Sequence, residues 1–575
     1  MSGLINHSFT MQNATALTIS ILPKTHRISG LSNFLMTNLS ALVHPKSTMF
    51  AELLRLVGYT IVIGTVFWAA WIYQRFFSRR GLPKDLPWAD GSTSPWSVAK
   101  LHVRTFFGLK PIIQNGYYKF SKDEKVFLLP NVVTGPEVIL PMSQMKWLLD
   151  QPDNVLNQNE VNREFLHADR TMLHSNIIRD MVHGRVIRRE MTKELDTYSD
   201  NIVEEIEFAL ARNWGTDTTE WREVRVYDTL LDVISRISNR VLVGKELCRN
   251  EEYLRSSSTY SRAVVLTAGM LNLLPEYLRP IFSPIIMAYD MYHYRQITKF
   301  VVPLIKERAH QFKPGMDYRR PDYSENNDYV QWAMHDAYSH NDPLEYTPEM
   351  ITKRLTVLSF AAIQSSVITI SNIVFDLAAS SQSIEYQAGL RDEVRQVTSQ
   401  YGSKAWTRAG LLQMLRLDSA LKESMRLWGF LSRGVMKLVV APEGITLPDG
   451  HHLDVGAKVG VTSYAIHHDE DAYTDAFTFK PYRFLPKQQG SGPGAKAQPM
   501  VTSADEFMGF SHGRHACPGR FFAANQLKLL LAAIVTKYDI EPVAARPENP
   551  WLNNTIGPPV FSTLRIRRRP GTVEA

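Results

Sequence analysis

One cysteine in a glycine-containing loop constrains the fold of this chain more than any other feature of its sequence. The loop reads Phe-Ser-His-Gly-Arg-His-Ala-Cys-Pro-Gly over residues 510–519, and a helical pattern follows from Arg520 to Lys537. The amino-terminal dipole of that helix favours a thiolate at Cys517, the form in which sulfur binds a metal. Gly513 and Gly519 are expected to permit tight turns around the sulfur. A buried free cysteine is the alternative interpretation.

The number and spacing of the cysteines limit the chemistry that they can support. The chain has two cysteines, Cys248 and Cys517, which are too few and too far apart for a disulfide framework or a CxxC zinc site. Any cysteine chemistry therefore depends on a single thiolate. Cys248 is expected to be a buried small hydrophobic residue.

Composition describes an ordinary globular protein. Of the 575 residues, 44% are hydrophobic and 21% are charged, which supplies a large core and excludes a disordered or collagen-like chain. The net charge is +7, but four positive charges lie together near the carboxyl end, at Arg565, Arg567, Arg568 and Arg569. Because the excess is local, we expect no nucleic-acid binding.

An uncharged apolar segment over residues 56–74 predicts one membrane-spanning helix. At about 1.5 Å per residue, a helix of this length spans roughly 28 Å, close to the thickness of a bilayer core. The positive-inside rule places the rest of the chain in the cytosol because basic residues follow the segment, namely Arg75, Arg79, Arg80 and Lys84. Three Asn-x-Ser/Thr sites would then be open to glycosylation in the lumen, at Asn6, Asn13 and Asn38.

The amino terminus also admits other interpretations. A buried core helix, a mitochondrial transit peptide in the Ser- and Thr-rich residues 1–48, and translation from Met49 are the alternatives. As an anchored protein, the chain would comprise a luminal extension, a transmembrane anchor, a basic and proline-rich hinge that cannot continue the helix, and one cytosolic domain. These parts cover residues 1–55, 56–74, 75–90 and 91–575.

Helix-like periodicity dominates the cytosolic part of the chain. It predicts helices over residues 176–198, 351–378 and 411–427, among others. Strand-like runs are concentrated around residues 435–461 and 556–566. We therefore predict a mainly α domain with small β-sheets, preceded by one transmembrane helix.

The loop around Cys517 matches the pattern F-x-x-G-x-x-x-C-x-G, and at these residues the chain resembles the cytochrome P450 family. The resemblance extends over residues 80–570 and implies the cytochrome P450 fold, with a haem b whose iron is ligated by Cys517. It assigns Phe510, Gly513 and Gly519 to the haem-binding loop. His515, where many members carry arginine, and Arg433 would donate to the haem propionates.

Glu423 and Arg426 form a second motif of the family. Their i, i+3 spacing in a predicted helix places carboxylate and guanidinium on one face, where they can pair. Arg483 lies in the segment Phe-Lys-Pro-Tyr-Arg-Phe, which resembles the family's segment that completes a buried network with such a pair. The resemblance implies that this network supports the fold and performs no chemistry.

The predicted helix over residues 351–378 carries a third motif. Its centre reads Ala-Ala-Ile-Gln-Ser-Ser over residues 361–366 and is similar to the family's oxygen-binding segment, A/G-G-x-D/E-T-T/S. Ala362 would leave space, Gln364 replaces the acid and Ser365 replaces the threonine. A hydroxyl here can bond back into the helix and open a local kink. The resemblance implies that Ser365, Gln364 and ordered water relay protons.

The resemblance implies a haem-thiolate monooxygenase of the endoplasmic reticulum membrane. It would oxidise an apolar polycyclic natural product, terpenoid or related, in fungal secondary metabolism, with dioxygen and electrons from an NADPH–cytochrome P450 reductase. A basic stripe at Arg185, Arg188 and Arg189 would help dock that reductase, and the apolar residues 263–284 would place the substrate entrance at the membrane. Two alternatives stay open: a haem-thiolate isomerase or dehydratase that needs no reductase, and a non-catalytic carrier of haem or lipid.

Overall fold

A computed structural model describes residues 48–76, 81–131, 133–310, 326–486 and 498–571. The chain divides between Ile72 and Tyr73 into an amino-terminal unit and a larger body. The glycosylation sites expected before the anchor, and two basic residues expected after it, lie outside the described residues; these are Asn6, Asn13, Asn38, Arg79 and Arg80.

Helix α1, Thr48–Phe76, contains the predicted membrane segment. Its residues Glu52–Gln74 are long and apolar enough to cross a membrane, and almost all of their side chains are exposed. The hydroxyls of Thr60 and Thr65 donate to backbone carbonyls four residues earlier, at 2.8 Å each, so these polar groups are satisfied within the helix. Such a surface suits a hydrocarbon environment, in which polar groups must find partners inside the segment.

Helices make up most of the body and confirm the predicted mainly α fold. They are α2 Pro95–Lys119, α3 Met145–Asp150, α4 Gln158–Leu166, α5 Ala168–Thr171, α6 Asn176–Arg179, α7 Val182–Val186, α8 Leu195–Trp214, α9 Val226–Val243, α10 Lys245–Cys248, α11 Glu251–Leu273, α12 Arg279–Ile286, α13 Ala288–Ala309, α14 Tyr329–Ser339, α15 Pro348–Ala379, α16 Ser383–Tyr401, α17 Arg408–Leu411, α18 Leu415–Trp428, α19 Ser463–His467 and α20 Arg520–Lys537.

Short strands form the small sheets. They are β1 Phe127–Leu129, β2 Glu137–Ile139, β3 Leu156–Asn157, β4 Arg222–Arg225, β5 Gly434–Val439, β6 Ile445–Thr446, β7 His452–Leu453, β8 Lys458–Val461, β9 Tyr538–Ile540, β10 Trp551–Leu552, β11 Thr555–Ile556 and β12 Thr563–Arg568. The largest sheet has the order β1-β2-β8-β5-β3, in which only β2 and β8 run parallel. A second sheet has the order β4-β12-β9, and β6-β7 and β10-β11 are two-stranded hairpins.

The long helix α15 lies in the main hydrophobic core. It is also apolar and long enough to span a membrane, but most of it is buried in the body, which makes it a core helix. It packs against α9, α11 and α13, and also against α18 and α20. A second hydrophobic cluster joins α2 to the five-stranded sheet. Helix α15 therefore contacts both α18 and α20, the helices at the other predicted motifs.

The helix predicted over residues 176–198 is wrong as one continuous element. It is interrupted after Arg179, resumes as α7, and passes into a π-helical turn, Ile187–Met191. The interruption falls at Asp180, whose backbone is extended and whose carbonyl accepts a hydrogen bond from the buried Arg354 Nη1 at 2.8 Å. A distant guanidinium on α15 thus removes a carbonyl from the helix, and local periodicity cannot predict such a contact.

Candidate functional site

The Cys517 loop is closed by its own backbone. The N–H of Cys517 donates to the carbonyl of Phe510 at 2.9 Å. Ser511 and Gly513 adopt positive φ angles of 61° and 73°, which turn the chain back toward the cysteine. At Gly513 a Cβ would also lie 2.7 Å from Leu149 Cδ2, so glycine is needed there for both conformation and space.

Gly519 differs from Gly513 in its backbone. Its φ of −91° is open to any residue, so conformation alone does not demand glycine at this position. A Cβ here would meet only Ile187 Cγ2, at 4.0 Å. The protein therefore leaves open space at Gly519, two residues after the cysteine, as a bound group would require.

Residue Cys517 lies just before α20 and is partly exposed as a whole, although its thiol is surrounded by protein. Burial raises the pKa of this thiol, while a hydrogen bond from the Gly519 N–H and the charge of Arg520 act in the opposite direction. Metal coordination removes the proton from a thiol outright. The N–H of Gly519 and the helix dipole would then stabilise the resulting thiolate.

The middle of α15 has one open face. Ala361 is exposed and Ala362, Ser365 and Ile368 are partly exposed, although the neighbouring Ile363, Ser366 and Val367 are buried. Positions 361, 365 and 368 are spaced as i, i+4 and i+7 and therefore share one side of the helix. The small side chains of Ala361 and Ser365 leave room for a ligand beside the backbone.

Hydroxyl groups line this face. Ser365 Oγ donates to the carbonyl of Ala361 at 2.8 Å, and Thr369 Oγ1 donates to the carbonyl of Ser365 at 3.0 Å. Such hydroxyl-to-carbonyl bonds within a helix commonly accompany bending. Each hydroxyl oxygen can still accept a hydrogen bond from another group.

Helix α20 links the cysteine loop to the open face. Gln526 Nε2 donates to Ser366 Oγ at 2.6 Å, on the buried side of α15. Gly184 of α7 lies close to Pro518, where a Cβ would be 3.8 Å from the proline ring. The loop, α15 and α7 therefore pack together in one part of the body.

A single cysteine ligand suits a metal whose other ligands belong to a cofactor. Among the described residues, no group of three or more His, Cys, Asp or Glu is placed to hold a metal ion. A lone cysteine two residues from open space suits a macrocyclic iron complex, in which the protein supplies one axial sulfur. The residues present therefore fit haem.

The three-member network is assembled in the structure. Glu423 and Arg426 form a fully buried bidentate ion pair, with N···O distances of 2.8 and 2.9 Å. Arg483 Nε donates to both oxygens of Glu423, at 2.9 and 3.0 Å. Both guanidiniums also donate to backbone carbonyls in the segment before Arg483, including those of Thr474 and Ala476. The network thus connects α18 to that segment.

Arg433 lies in a buried polar cluster. Its Nη1 contacts the carboxylate of Glu137, which also accepts from Asn131 Nδ2 at 2.8 Å and Thr134 Oγ1 at 3.0 Å. The Asn554 side chain, with its amide oxygen turned toward the guanidinium, accepts a further bond from Arg433. Because the carboxylate of Glu137 already neutralises the guanidinium of Arg433, this arginine is a weaker partner for a haem propionate than the sequence implied.

His515 pairs with a carboxylate as well. Its Nε2 lies 2.8 Å from Asp153 Oδ1, and Arg514 Nη2 donates to the same oxygen at 2.9 Å. The hydrogen bond and charge of His515 hold the pKa of Asp153 below its usual value. A propionate at His515 would therefore share the imidazole with Asp153.

The predicted basic stripe is largely neutralised. Arg185 Nη2 and Arg189 Nη2 both reach the buried carboxylate of Asp336 on α14, at 2.8 and 3.4 Å. Arg188 is exposed. Of the three arginines expected to face a partner, two are thus held mainly by an internal ion pair.

Sequence reasoning missed the partners of several site residues. Tyr227 on α9 donates to Gln364 Oε1 at 3.2 Å. Glu137 and Asp153, which match Arg433 and His515, were missed as well. All three partners are more than 130 residues away in sequence, and no motif marks them. Only the tertiary structure could reveal them.

Known proteins resemble this chain in sequence and in fold. The family model described as Cytochrome P450 matches residues 150–562. The chain is 30% identical to Cytochrome P450 monooxygenase gloP of Glarea lozoyensis, over 87% of this chain and 92% of the relative. It is 32% identical to Cytochrome P450 monooxygenase 151 of Postia placenta, over 81% and 90%. Retinoic acid bound cyanobacterial CYP120A1 shares the fold, with a TM-score of 0.59 at 17% identity over 81% of this chain and 96% of that one.

Proposed function

The chain belongs to the cytochrome P450 family, and on that premise we propose that it is a membrane-anchored haem-thiolate monooxygenase acting on an apolar polycyclic natural product. Electrons would come from NADPH through a cytochrome P450 reductase. One observation carries the proposal: a partly exposed cysteine at the start of α20 lies two residues before open space at Gly519, and α20 packs directly on α15, where an open face of small and hydroxyl-bearing residues lies.

The chain's own residues would bind and shield the haem. Cys517 would bind the haem iron through its thiolate, and the Gly519 N–H would donate a hydrogen bond to that sulfur. When bound, haem would activate dioxygen and insert one oxygen atom into the substrate, the other leaving as water. The small side chains of Ala361 and Ala362 would leave room for substrate, and the surrounding core would exclude bulk water.

Ser365 and Gln364 would control protons at the open face. The Ser365 hydroxyl can accept from a water molecule while it donates to the carbonyl of Ala361. Gln364 cannot ionise, so it can orient water but cannot itself release a proton. We therefore assign proton positioning to the pair, with solvent as the source.

An apolar substrate follows from the surface near α12. Large apolar side chains are exposed on consecutive elements of this region, namely Leu266, Met270, Leu273, Ile281, Phe282 and Ile285. Exposed apolar patches of this kind mark membrane or partner contacts. We propose that this surface faces the bilayer and that substrate enters from it. A terpenoid or related polycycle, as in fungal secondary metabolism, is the substrate class this entrance suits.

We place the body in the cytosol, on the endoplasmic reticulum membrane. The basic residues after the anchor support this orientation. Asn553 also begins an Asn-x-Thr site, but it is 3% exposed and donates to Asn131 Oδ1 at 2.7 Å. A glycan at Asn553, added before the chain folds, would place the body in the lumen and reverse this orientation, whereas glycans at Asn6, Asn13 or Asn38 would support it.

Carbon monoxide binding tests the haem ligand. The reduced full-length protein should show the red-shifted Soret band of thiolate ligation. Cys517→Ala should abolish that band, whereas the matched control Cys248→Ser should retain it, because Cys248 is fully buried elsewhere in the body. An unchanged band in the Cys517 variant would remove the basis of the proposal.

Turnover distinguishes the monooxygenase from its rivals. Co-expression with a reductase in a host that lacks the pathway, followed by feeding of apolar extracts, should yield products heavier by one oxygen atom. Consumption of NADPH and dioxygen should accompany that product. Product formed without either reagent would indicate an isomerase or dehydratase, which the replacement of the acid and threonine by Gln364 and Ser365 makes worth testing. No turnover with any donor would indicate a carrier.

A further inference from the structure

Of the two polar atoms of the Gln364 side chain, one has a hydrogen-bond partner among the described residues. Its side-chain oxygen accepts a hydrogen bond from the hydroxyl of Tyr227 at 3.2 Å. Its Nε2 is buried and makes no hydrogen bond to any residue that the structure describes. Buried polar groups nearly always have partners, and each exception calls for an explanation such as ordered water or a functional role.

The position of Gln364 supplies that explanation. It lies on α15 immediately before Ser365 and three residues after Ala361, the most open position of the face described above. In an amide, the oxygen and nitrogen point in different directions from one carbon. Once Tyr227 binds the oxygen, the nitrogen is left as a donor of fixed direction.

Tyr227 is well placed to hold the amide still. It lies at the start of α9, is 7% exposed, and α9 packs along α15. Burial raises the pKa of its hydroxyl, so the phenol keeps its proton and can donate at neutral pH.

We propose that Tyr227 is a positioning residue, whose hydroxyl orients the Gln364 amide so that Nε2 donates to a water molecule or oxygen-bearing ligand at the open face of α15. Gln364 then acts as a neutral, fixed donor at the place where the family's motif has an acid. This inference rests on the proposed monooxygenase function and adds a residue from α9 to that site.

Four variants of the full-length holoprotein test the proposal. Tyr227→Phe removes the hydroxyl alone, and Gln364→Leu removes the amide. The double variant tests whether the two act together. Tyr253→Phe is the matched control, because Tyr253 donates to a side-chain amide oxygen in the same way, to Asn239 at 2.9 Å, but makes no contact with Gln364.

The readout is spectroscopic as well as kinetic. The infrared C–O stretch of the reduced carbon monoxide complex responds to donors near the bound ligand, so it should shift in Gln364→Leu and shift in the same direction in Tyr227→Phe. Hydrogen peroxide formed per NADPH should rise about 5-fold in Tyr227→Phe, the factor expected for one neutral hydrogen bond. The double variant should show no larger effect than Gln364→Leu alone.

A further variant keeps the test decisive if Tyr227→Phe folds poorly. Gln364→Glu retains an oxygen that Tyr227 can bind but, when ionised, loses the donor. It should shift the C–O stretch away from the wild-type value, because the carboxylate removes the donor and places a negative charge beside the ligand. A stretch identical to wild type in both Tyr227→Phe and Gln364→Glu, or additive effects in the double variant, would overturn the inference. A wild type without the thiolate Soret band would instead overturn the proposed function.

Discussion

Two adjacent serines on α15 have different surroundings and should respond differently to mutation. Ser365 faces the open side and bonds only its own helix, whereas Ser366 is buried and accepts from Gln526 Nε2. Ser365→Ala should keep haem and stability but divert NADPH to peroxide, since positioned proton transfer is worth about 100-fold or more. Ser365→Thr should retain coupling. Product and peroxide formed per NADPH measure both.

Ser366→Ala is the neighbouring control. It leaves Gln526 Nε2 without its partner in a buried place, which should lower the free energy of unfolding by about 1–3 kcal/mol. Coupling should stay normal in the molecules that remain folded. Equal coupling in wild type and Ser365→Ala would show that protons arrive by another route and that Ser365 is a packing residue.

Asp290 on α13 gives a pH prediction. It is 2% exposed, and burial raises the pKa of its carboxyl to about 6, although a hydrogen bond from Thr267 acts to lower it. An unfolded chain has a pKa of about 3.9 there, so the folded state holds the proton more tightly and loses stability as pH rises from about 4 through 6. Asp290→Asn should therefore raise the free energy of unfolding at neutral pH by up to about 3 kcal/mol.

The free energy of unfolding gained by Asp290→Asn should decrease as the pH falls toward about 4, where the folded and unfolded states of the wild type both hold the proton. Urea unfolding of the two proteins across this range measures the difference. A gain that is equal at both ends of the range would mean that the substitution acts through packing and that the carboxyl does not titrate as described.

At the scale of elements, α18 is held in place by the ion pairs that its Glu423 forms with Arg426 and Arg483. Glu423→Gln would leave Arg426 and Arg483 without their common carboxylate and should cost about 3–5 kcal/mol of unfolding free energy. Haem should be lost together with the fold, since the network connects α18 to the segment that ends at Arg483. Urea unfolding and haem content measure this.

An exposed ion pair provides the comparison. Glu541 and Arg565 are 2.9 Å apart but largely solvated, so Glu541→Gln should change the free energy of unfolding by less than about 1 kcal/mol. Similar losses in the two variants would mean that burial of the Glu423 network adds nothing to its effect.

Local pattern predicted the elements better than their contacts. The helix predicted from apolar periodicity over residues 351–378 differs from the observed α15 by three residues at its start and one at its end. The predicted bounds of α20 agree with the observed ones. The helix over residues 176–198 failed because Arg354 binds the carbonyl of Asp180 from another element. The resemblance to the family suggested a network of Glu423, Arg426 and Arg483, and these side chains contact one another in the structure. The resemblance could not show that Glu137 and Asp153 already pair with Arg433 and His515. Partners far apart in sequence follow from the fold and leave no local signal.

For the whole molecule, the apolar surface on α12 predicts a second membrane contact that does not depend on the anchor. Ile281, Phe282 and Ile285 are 63%, 42% and 71% exposed, and each side chain buried in an apolar phase contributes about 1.5–3 kcal/mol at full burial. A chain that begins at Tyr73 should therefore still sediment with phospholipid vesicles. Serine at all three positions should reduce the bound fraction at least about 10-fold. A tenfold change in binding corresponds to about 1.4 kcal/mol, and even partial loss of three such contacts exceeds that amount.

Ile384→Ser is the matched control, since Ile384 on α16 is 72% exposed and lies on a different element. If the triple variant binds vesicles as well as the control, this surface does not face the bilayer, and the substrate entrance must be sought on another face of the body.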